Sequence, residues 1–346
     1  MANDFEIRLT ADFQQDGSLI YQDIGLDLLD AAKGIRYSFF EQHQPEVSPN
    51  QLEGVDSIIA LTPKVAAASL VNVERLTMIS RFGVGYDSID VDACTDANVL
   101  LTITAGGVNY SVAESVITFM LAASHNLLLK DRLVREGRWD ERSAHMGSEL
   151  RDRTLGIVGV GGIGATLAGM VGTFRMNPVI AYDPYVTPER AGEMGVTLVT
   201  LDELLQTADF VSINCPLSDQ TRDLIGTREL GHMKNTAYLI NTARGGIVNE
   251  TALLSALESR QIAGAALDCH DSEPVPADYP FAELDNVIMA PHAIAWTNEL
   301  FRDLGRIACR QSIELAKGQI PDGVVNNDVL DRPGFKAKLE KYRSGV

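Results

Sequence analysis

Thr154-Leu155-Gly156-Ile157-Val158-Gly159-Val160-Gly161-Gly162-Ile163-Gly164 decides how this chain is read. A short apolar run of strand character enters Gly159-x-Gly161-x-x-Gly164, and the helix-compatible run Ala165 to Met170 leaves it. A second strand-like run, Pro178-Val179-Ile180-Ala181-Tyr182, ends in Asp183, nineteen residues beyond Gly164. That order is what a dinucleotide fold needs. Gly159 permits the tight turn, Gly161 lets the backbone approach a diphosphate, and Gly164 lets helix and strand pack closely. The diphosphate then sits at a helix N-terminus with Gly162 and Ile163, where unpaired N–H groups and the helix dipole favour an anion. A carboxylate at Asp183 accepts hydrogen bonds from ribose hydroxyls and repels a 2′-phosphate, so the expected cofactor is NAD rather than NADP. Arg190 softens that preference if its side chain folds back.

At 346 residues the chain suits two domains. Charged residues at 22% and apolar residues at 45% are those of an ordinary globular protein, which excludes a disordered or fibrous one. A net charge of −18 argues against nucleic-acid or anionic-membrane partners, which need clustered Lys and Arg. A small anionic substrate stays compatible in a pocket with its own cations. No stretch is apolar enough to span a bilayer, and Met1-Ala2-Asn3-Asp4-Phe5-Glu6 lacks the basic start and apolar core of a signal peptide. The expectation is a cytoplasmic protein. Cys94, Cys215, Cys269 and Cys309 form no C-x-x-C pair, so no metal site or disulfide framework is indicated.

Residues 1–108 read as a small α/β unit with strand candidates at Ile7–Thr10, Val55–Leu61, Met78–Phe82 and Val99–Ile103, and a helix at Leu26–Ala32. Gly83-Val84-Gly85-Tyr86-Asp87 follows a buried strand directly. It is either a turn offering N–H groups to a carboxylate or a plain tight turn. After Ala105-Gly106-Gly107-Val108-Asn109, Ser111-Val112-Ala113-Glu114 resembles a capping box opening one long helix to about Arg138. That length suggests a subunit interface, hence a homodimer.

From Thr154 onward, short apolar runs alternate with helical segments through Val287–Ala290, giving a doubly wound sheet of six or seven strands. A last helix spans about Asn298 to Lys317. The tail Gly323-Val324-Val325-Asn326 passes the natural end of the second domain, so the C-terminus is expected to return to the first. The predicted fold is α/β: two Rossmann-like doubly wound parallel-sheet domains. A substrate domain of residues 1–108 plus 299–346 is split by a nucleotide domain of residues 109–298, with a cleft between them.

If the strands are parallel, their carboxyl ends share one rim. There stand Arg244 in Asn241-Thr242-Ala243-Arg244-Gly245-Gly246, then Asp268, Glu273-Pro274 and Pro291-His292. Hydride transfer needs a base for the substrate hydroxyl, and histidine suits this near neutral pH. It also needs a planar bidentate donor for a carboxylate, for which arginine is better matched than lysine. Each group has a plainer reading: Arg244 on the surface, Glu273 solvated, Asp268 capping a turn. His292 stands out among six histidines by following Pro291 at a buried strand end, and His270, close to Asp268, competes with it.

The combined pattern resembles the D-isomer-specific 2-hydroxyacid dehydrogenases, which include D-3-phosphoglycerate, D-glycerate, D-lactate and formate dehydrogenases. It rests on Gly83 to Asp90, Asn109 to Glu114, the glycine turn, Pro216-Leu217 with Thr221, Ile240 to Gly245, Asp268 to Pro274, and Pro291-His292. The resemblance implies His292 as general acid/base, Glu273 as its carboxylate partner, and Arg244 as the group that binds the substrate carboxylate and polarises the C2 oxygen. A neighbouring carboxylate favours imidazolium, so the proton for keto-acid reduction is at hand. By the same resemblance Asp268 contacts the nicotinamide carboxamide or ribose. Thr104, Cys215, Pro216, Thr221, Thr242 and Ala243 line the cofactor, while Val84 and Gly85 donate to the substrate carboxylate. Asn109 falls near the substrate.

Many members have arginine where this chain has Gly162, so one cation near the diphosphate is missing. Trp296 either closes the substrate pocket or packs, and Arg81 either supplies a second cation or forms a structural ion pair. The implied activity is NAD-dependent hydride transfer at C2 of a small 2-hydroxy or 2-keto acid of glycerate, phosphoglycerate or glyoxylate type. The alternative is a non-catalytic NAD(H)-sensing interaction protein on the same scaffold. Formate or phosphite oxidation has no supporting feature.

Overall fold

The computed structural model describes residues 4–343. Residues 1–3, which begin the segment read as no signal peptide, and 344–346 lie outside them. The chain forms two compact units, Met1–Val108 with Trp296–Val346, and Asn109–Ala295. The second crossing comes at 296 rather than the expected 299, because Trp296 packs edge-on against Tyr21 and Phe301 of the first unit, with centroids 6.1 and 5.3 Å away.

In the first unit, β1 (Phe5–Leu9), β2 (Ile35–Phe39), β3 (Ser57–Ala60), β4 (Met78–Arg81) and β5 (Leu100–Ile103) form one parallel sheet ordered β2-β1-β3-β4-β5. Near-continuous apolar runs suit strands covered on both faces, and β3 is buried at every position. The returning tail lies antiparallel beside β5, with Val324 opposite Thr102 and Val325 N–H donating to Leu101 O at 2.9 Å. The helix Asn298–Ala316 covers the sheet with Leu300, Phe301, Leu304, Ala308 and Leu315. Its Gln311, 3% exposed, is fully satisfied: the amide nitrogen donates to Ile103 and Asp322 carbonyls and the oxygen accepts from Ser80 and Thr102 hydroxyls.

In the second unit, β6 (Leu155–Val158), β7 (Val179–Tyr182), β8 (Thr197–Leu198), β9 (Phe210–Ile213), β10 (Tyr238–Asn241), β11 (Gly264–Leu267) and β12 (Val287–Met289) form a seven-stranded sheet. All pairings are parallel and the order is β8-β7-β6-β9-β10-β11-β12. The order reverses between β6 and β9, the place where such sheets bind ligands. Register aligns Tyr182, Val158, Ile213, Asn241, Leu267 and Met289 across the sheet, so the residues after them share one rim.

The long helix expected to Arg138 is two helices, Asn109–Ser124 and Leu127–Arg135, bent by 55°. Asn126 takes a left-handed conformation at the break, φ 53°, and its amide donates to Met146 O at 3.1 Å. The first helix starts at Asn109, so Ser111 and Glu114 lie inside it rather than at a cap. Among the described residues no single helix is long and apolar enough to cross a membrane.

Candidate active site

The glycine turn leaves β6 at the sheet's reversal point and opens the helix Gly162–Val171. Gly159 has φ +93°, and a Cβ there would stand 2.9 Å from Cys215 N of the loop after β9. A Cβ on Gly164 would strike Gly159 O, which is the close helix–strand packing its position demands. Gly161 differs: its φ is ordinary, and a Cβ would meet nothing within 4 Å. The open backbone there leaves room for a diphosphate to approach. Ile163 follows in the first turn, where N–H groups have no intrahelical acceptor.

Gly162 has a local reason. A Cβ there would lie 2.5 Å from the Asn109 amide, so Asn109 sits over the turn. Asp183, at the end of β7, accepts from Val160 N–H and Tyr185 N–H, both at 2.9 Å, which ties the acidic residue to the glycine turn. Arg190 does not fold back onto it; its guanidinium pairs with Glu193 at 2.6 Å. Beyond β9, Thr221 Oγ1 donates to Pro216 O at 2.6 Å and accepts Ser218 N–H at 2.7 Å, shaping the loop that holds Cys215 and Pro216. Burial pushes the Cys215 thiol up to about 11, so it stays a neutral thiol. The Thr242 hydroxyl, beside Ala243 just past β10, is buried without a hydrogen-bond partner, an exception that a ligand at this rim would explain. The open backbone at Gly161, the orphaned Thr242 hydroxyl and the Asp183 carboxylate fit NAD.

Further along the rim stands an acid/base pair. Glu273 Oε2 lies 2.7 Å from His292 Nδ1, with both side chains partly exposed at 37% and 43%. Burial alone would raise the Glu273 carboxyl, but the His292 hydrogen bond and the His270 N–H outweigh it and hold it below the usual range. The carboxylate thus engages Nδ1, and Nε2 is the nitrogen that this arrangement would leave for proton exchange. Nε2 is 3.9 Å from Cys269 Sγ. Cys269, Glu273 and His292 bring possible ligand atoms within 4.8 Å of one another, with the Glu273–His292 bond the shortest contact among them, and burial raises the Cys269 thiol. The cluster reads as an acid/base pair.

Arg244 belongs to the same rim. Gly245 packs so tightly that a side chain there would collide with the His270 carbonyl and with Asp271 N, fastening the Arg244 loop to the Glu273 loop. Asn241 shapes that loop by accepting Ala243 N–H at 3.0 Å and donating to Arg244 O at 2.8 Å. The Arg244 guanidinium donates to Ala243 O at 2.6 Å and is close enough to Cys269 to lower its thiol electrostatically.

Asp268 is 4% exposed, and its Oδ1 accepts the N–H groups of Ala293 and Ile294 at 2.9 and 3.1 Å. It caps, as its plainer reading had it, but the turn it caps is the one after His292. His292 itself has φ +54°, a conformation non-glycine residues rarely adopt, and the Asp268 bonds hold the chain that follows it. His270, the competing histidine, is buried with both ring nitrogens engaged, so it is not the proton donor to a substrate.

In the first unit, Arg81 donates to Gly85 O at 2.8 Å and to Phe82 O, which shapes the loop bearing Val84 and Gly85. Thr104 Oγ1 accepts Gly83 N–H at 2.8 Å, so this hydroxyl braces the same loop. Trp296, 52% exposed, is held by ring contacts within its own unit.

A dinucleotide turn beside a histidine–carboxylate pair and an arginine defines a nucleotide-dependent oxidoreductase. Residues 117–293 match the NAD-binding domain of the D-isomer-specific 2-hydroxyacid dehydrogenases. The chain is 35% identical over 292 residues to a glyoxylate reductase of Korarchaeum cryptofilum, covering 83% of this chain and 88% of that protein. It is 38% identical over 279 residues to a D-3-phosphoglycerate dehydrogenase of Archaeoglobus fulgidus, covering 81% of this chain but only 53% of that longer protein. Among solved structures, the D-lactate dehydrogenase of Aquifex aeolicus complexed with NAD and lactic acid matches at TM-score 0.80 and 27% identity, over 93% of this chain and 99% of that one. The chain belongs to the D-isomer-specific 2-hydroxyacid dehydrogenase family, oxidoreductases that act with NAD on a CH–OH group.

Proposed function

We propose that the chain reduces a small, unphosphorylated 2-keto acid of glyoxylate or hydroxypyruvate type, and catalyses the reverse oxidation, with His292 as the acid/base. The observation that carries this is the 2.7 Å Glu273–His292 hydrogen bond on the rim that also bears Arg244. NAD(H) supplies or accepts the hydride. Protonated His292 donates from Nε2 to the C2 oxygen as it gains charge, while Glu273 on Nδ1 stabilises the imidazolium. Arg244 offers a planar donor pair to the carboxylate and polarises the C2 oxygen. Val84 and Gly85 are proposed as further carboxylate donors. The unphosphorylated choice rests on the match to a glyoxylate reductase over 88% of that protein, against 53% of the longer D-3-phosphoglycerate dehydrogenase. An assembled acid/base pair disfavours the purely NAD(H)-sensing alternative.

The test follows NADH absorbance with glyoxylate, hydroxypyruvate, pyruvate and 3-phosphohydroxypyruvate. His292→Ala is expected to lower turnover by a factor of about 10²–10⁴ with NADH binding retained. Turnover at the wild-type level in that variant overturns the assignment.

A homodimer in the cytoplasm, without nucleic-acid or membrane partners, is part of the same proposal. Leu127, Leu128, Val134, Trp139 and Met146, on or just after the bent helix pair, are exposed apolar side chains that a second copy would cover. Four free cysteines suit a reducing compartment. Light scattering reads the oligomeric state directly.

A further inference from the structure

We propose that His270 is a positioning residue: its imidazole, held between the Tyr279 hydroxyl and the Ala290 carbonyl, clamps the segment bearing Glu273 to the segment bearing His292. The proposal uses the reading above only in taking Glu273 and His292 as the working pair.

The clamp has contacts on both sides. His270 Nε2 lies 3.1 Å from Ala290 O, two residues before His292. Its backbone N–H donates to Glu273 Oε1 at 2.9 Å, three residues ahead. Its Nδ1 lies 3.1 Å from Tyr279 Oη, and the same hydroxyl donates to Glu250 Oε1 at 2.8 Å. Glu250 Oε1 also accepts Asp271 N–H at 2.9 Å, which ties the next residue of the Glu273 loop to the helix Glu250–Glu258. The imidazole and the phenol are 7% and 8% exposed, so water does not complete these bonds.

Proton accounting makes the arrangement more than packing. A carbonyl only accepts, so the Nε2 contact requires a proton on Nε2. Tyr279 has one proton and gives it to Glu250, so Nδ1 must donate to the phenol oxygen, placing protons on both ring nitrogens opposite an ionised Glu250. The equivalent state moves two protons together: Nδ1–H passes to Tyr279 as Tyr279 passes its own to Glu250, leaving neutral imidazole and neutral carboxylic acid. Both states hold the same number of protons and satisfy every contact. Removing one proton leaves two lone pairs facing across a buried gap. Asp271 and Glu273 are the other charges facing Tyr279, and Asp223 and Arg222 act on Asp271 from beyond it. His292, Asp268 and Cys269 complete the groups around Glu273.

The test compares His270→Phe, Tyr279→Phe and His270→Gln in the full-length protein. Phenylalanine keeps the edge-on ring contact with Tyr279, 5.4 Å between centroids, and loses both ring hydrogen bonds. His270→Phe is expected to bind NADH as wild type does, to lower kcat for keto-acid reduction on the order of tenfold at little change in KM, and to move its acid limb, where Glu273 takes up a proton, to higher pH because the bonds that hold that carboxyl down are loosened. His270→Gln, which can still donate to Ala290 O, recovers part of the loss. Wild-type kcat and an unmoved acid limb in His270→Phe overturn the proposal. Should that variant not fold, Tyr279→Phe decides by the same limb: a shift supports the clamp and its absence overturns it. If the wild type turns over none of the acids, the activity reading fails separately. The clamp is then read by NMR of the His292 Nδ1 proton, expected in wild type and lost to exchange in the variants; its persistence in them overturns the clamp.

Discussion

Asp268 Oδ1 accepts the backbone N–H of Ala293, the residue after His292, at 2.9 Å. With the parallel bond from Ile294, this buried carboxylate holds the left-handed turn that presents the imidazole. Asp268→Ala orphans both N–H groups, at about 1–3 kcal/mol each, and should lower both Tm and kcat. Asp268→Asn keeps an accepting Oδ1. Burial raises the Asp268 carboxyl despite the two N–H bonds, so the folded chain binds its proton more tightly than the unfolded chain. That contribution is full below the ordinary carboxyl pKa, about 4, and is lost as pH rises through the raised value. At pH 8 the amide variant should therefore melt no lower than wild type, whereas the alanine variant melts lower; calorimetry of the two checks this.

Glu273 runs in the opposite sense. Its carboxyl is held below the usual range, so its stabilising contribution is present above the unfolded value, about 4.3, and lost as pH falls through the depressed folded value. Glu273→Gln should flatten the stability profile on the acid side and reduce keto-acid reduction at neutral pH, measured by melts and initial rates over a pH series.

Gly161 and Gly164 should separate binding from folding. Gly161→Ala places its methyl in open space at an ordinary φ, so Tm should hold while NADH affinity falls. Gly164→Ala strikes Gly159 O and should lower Tm. NADH fluorescence titration and thermal melts distinguish the two.

The pair Gly162 and Asn109 should couple. Gly162→Ala alone must move the Asn109 amide, the free end of a flexible side chain, so Tm should fall only slightly, and adding Asn109→Ala removes that displacement. A double-mutant cycle on Tm that proves additive contradicts this packing.

Asp183→Asn removes the charge that opposes a 2′-phosphate, so the NADPH to NADH ratio of kcat/KM should rise. Arg190 is held by Glu193, so Glu193→Ala in that background should raise it further by freeing the guanidinium. Steady-state kinetics with both cofactors reads the ratio.

The family and its cofactor were legible because a strand, three spaced glycines and a later aspartate are local features: chain geometry allows few other uses for them. Parallel alternation likewise forecast that Arg244, Glu273 and His292 share one rim, since every strand end in such a sheet faces the same way. Local sequence does not say which partner a side chain chooses. Arg81 turned to its own loop, Arg190 to Glu193, and Asp268 to the turn after His292, because the nearest satisfying partner depends on which loops meet in space. The bend at Asn126 was hidden in an unbroken apolar pattern, as a left-handed residue leaves helical periodicity almost unchanged on either side. The joining of His270, Tyr279 and Glu250 was beyond the sequence altogether: Tyr279 and Glu250 stand twenty-nine residues apart on separate elements, and only close packing brought a buried imidazole, a phenol and a carboxylate into one chain of hydrogen bonds.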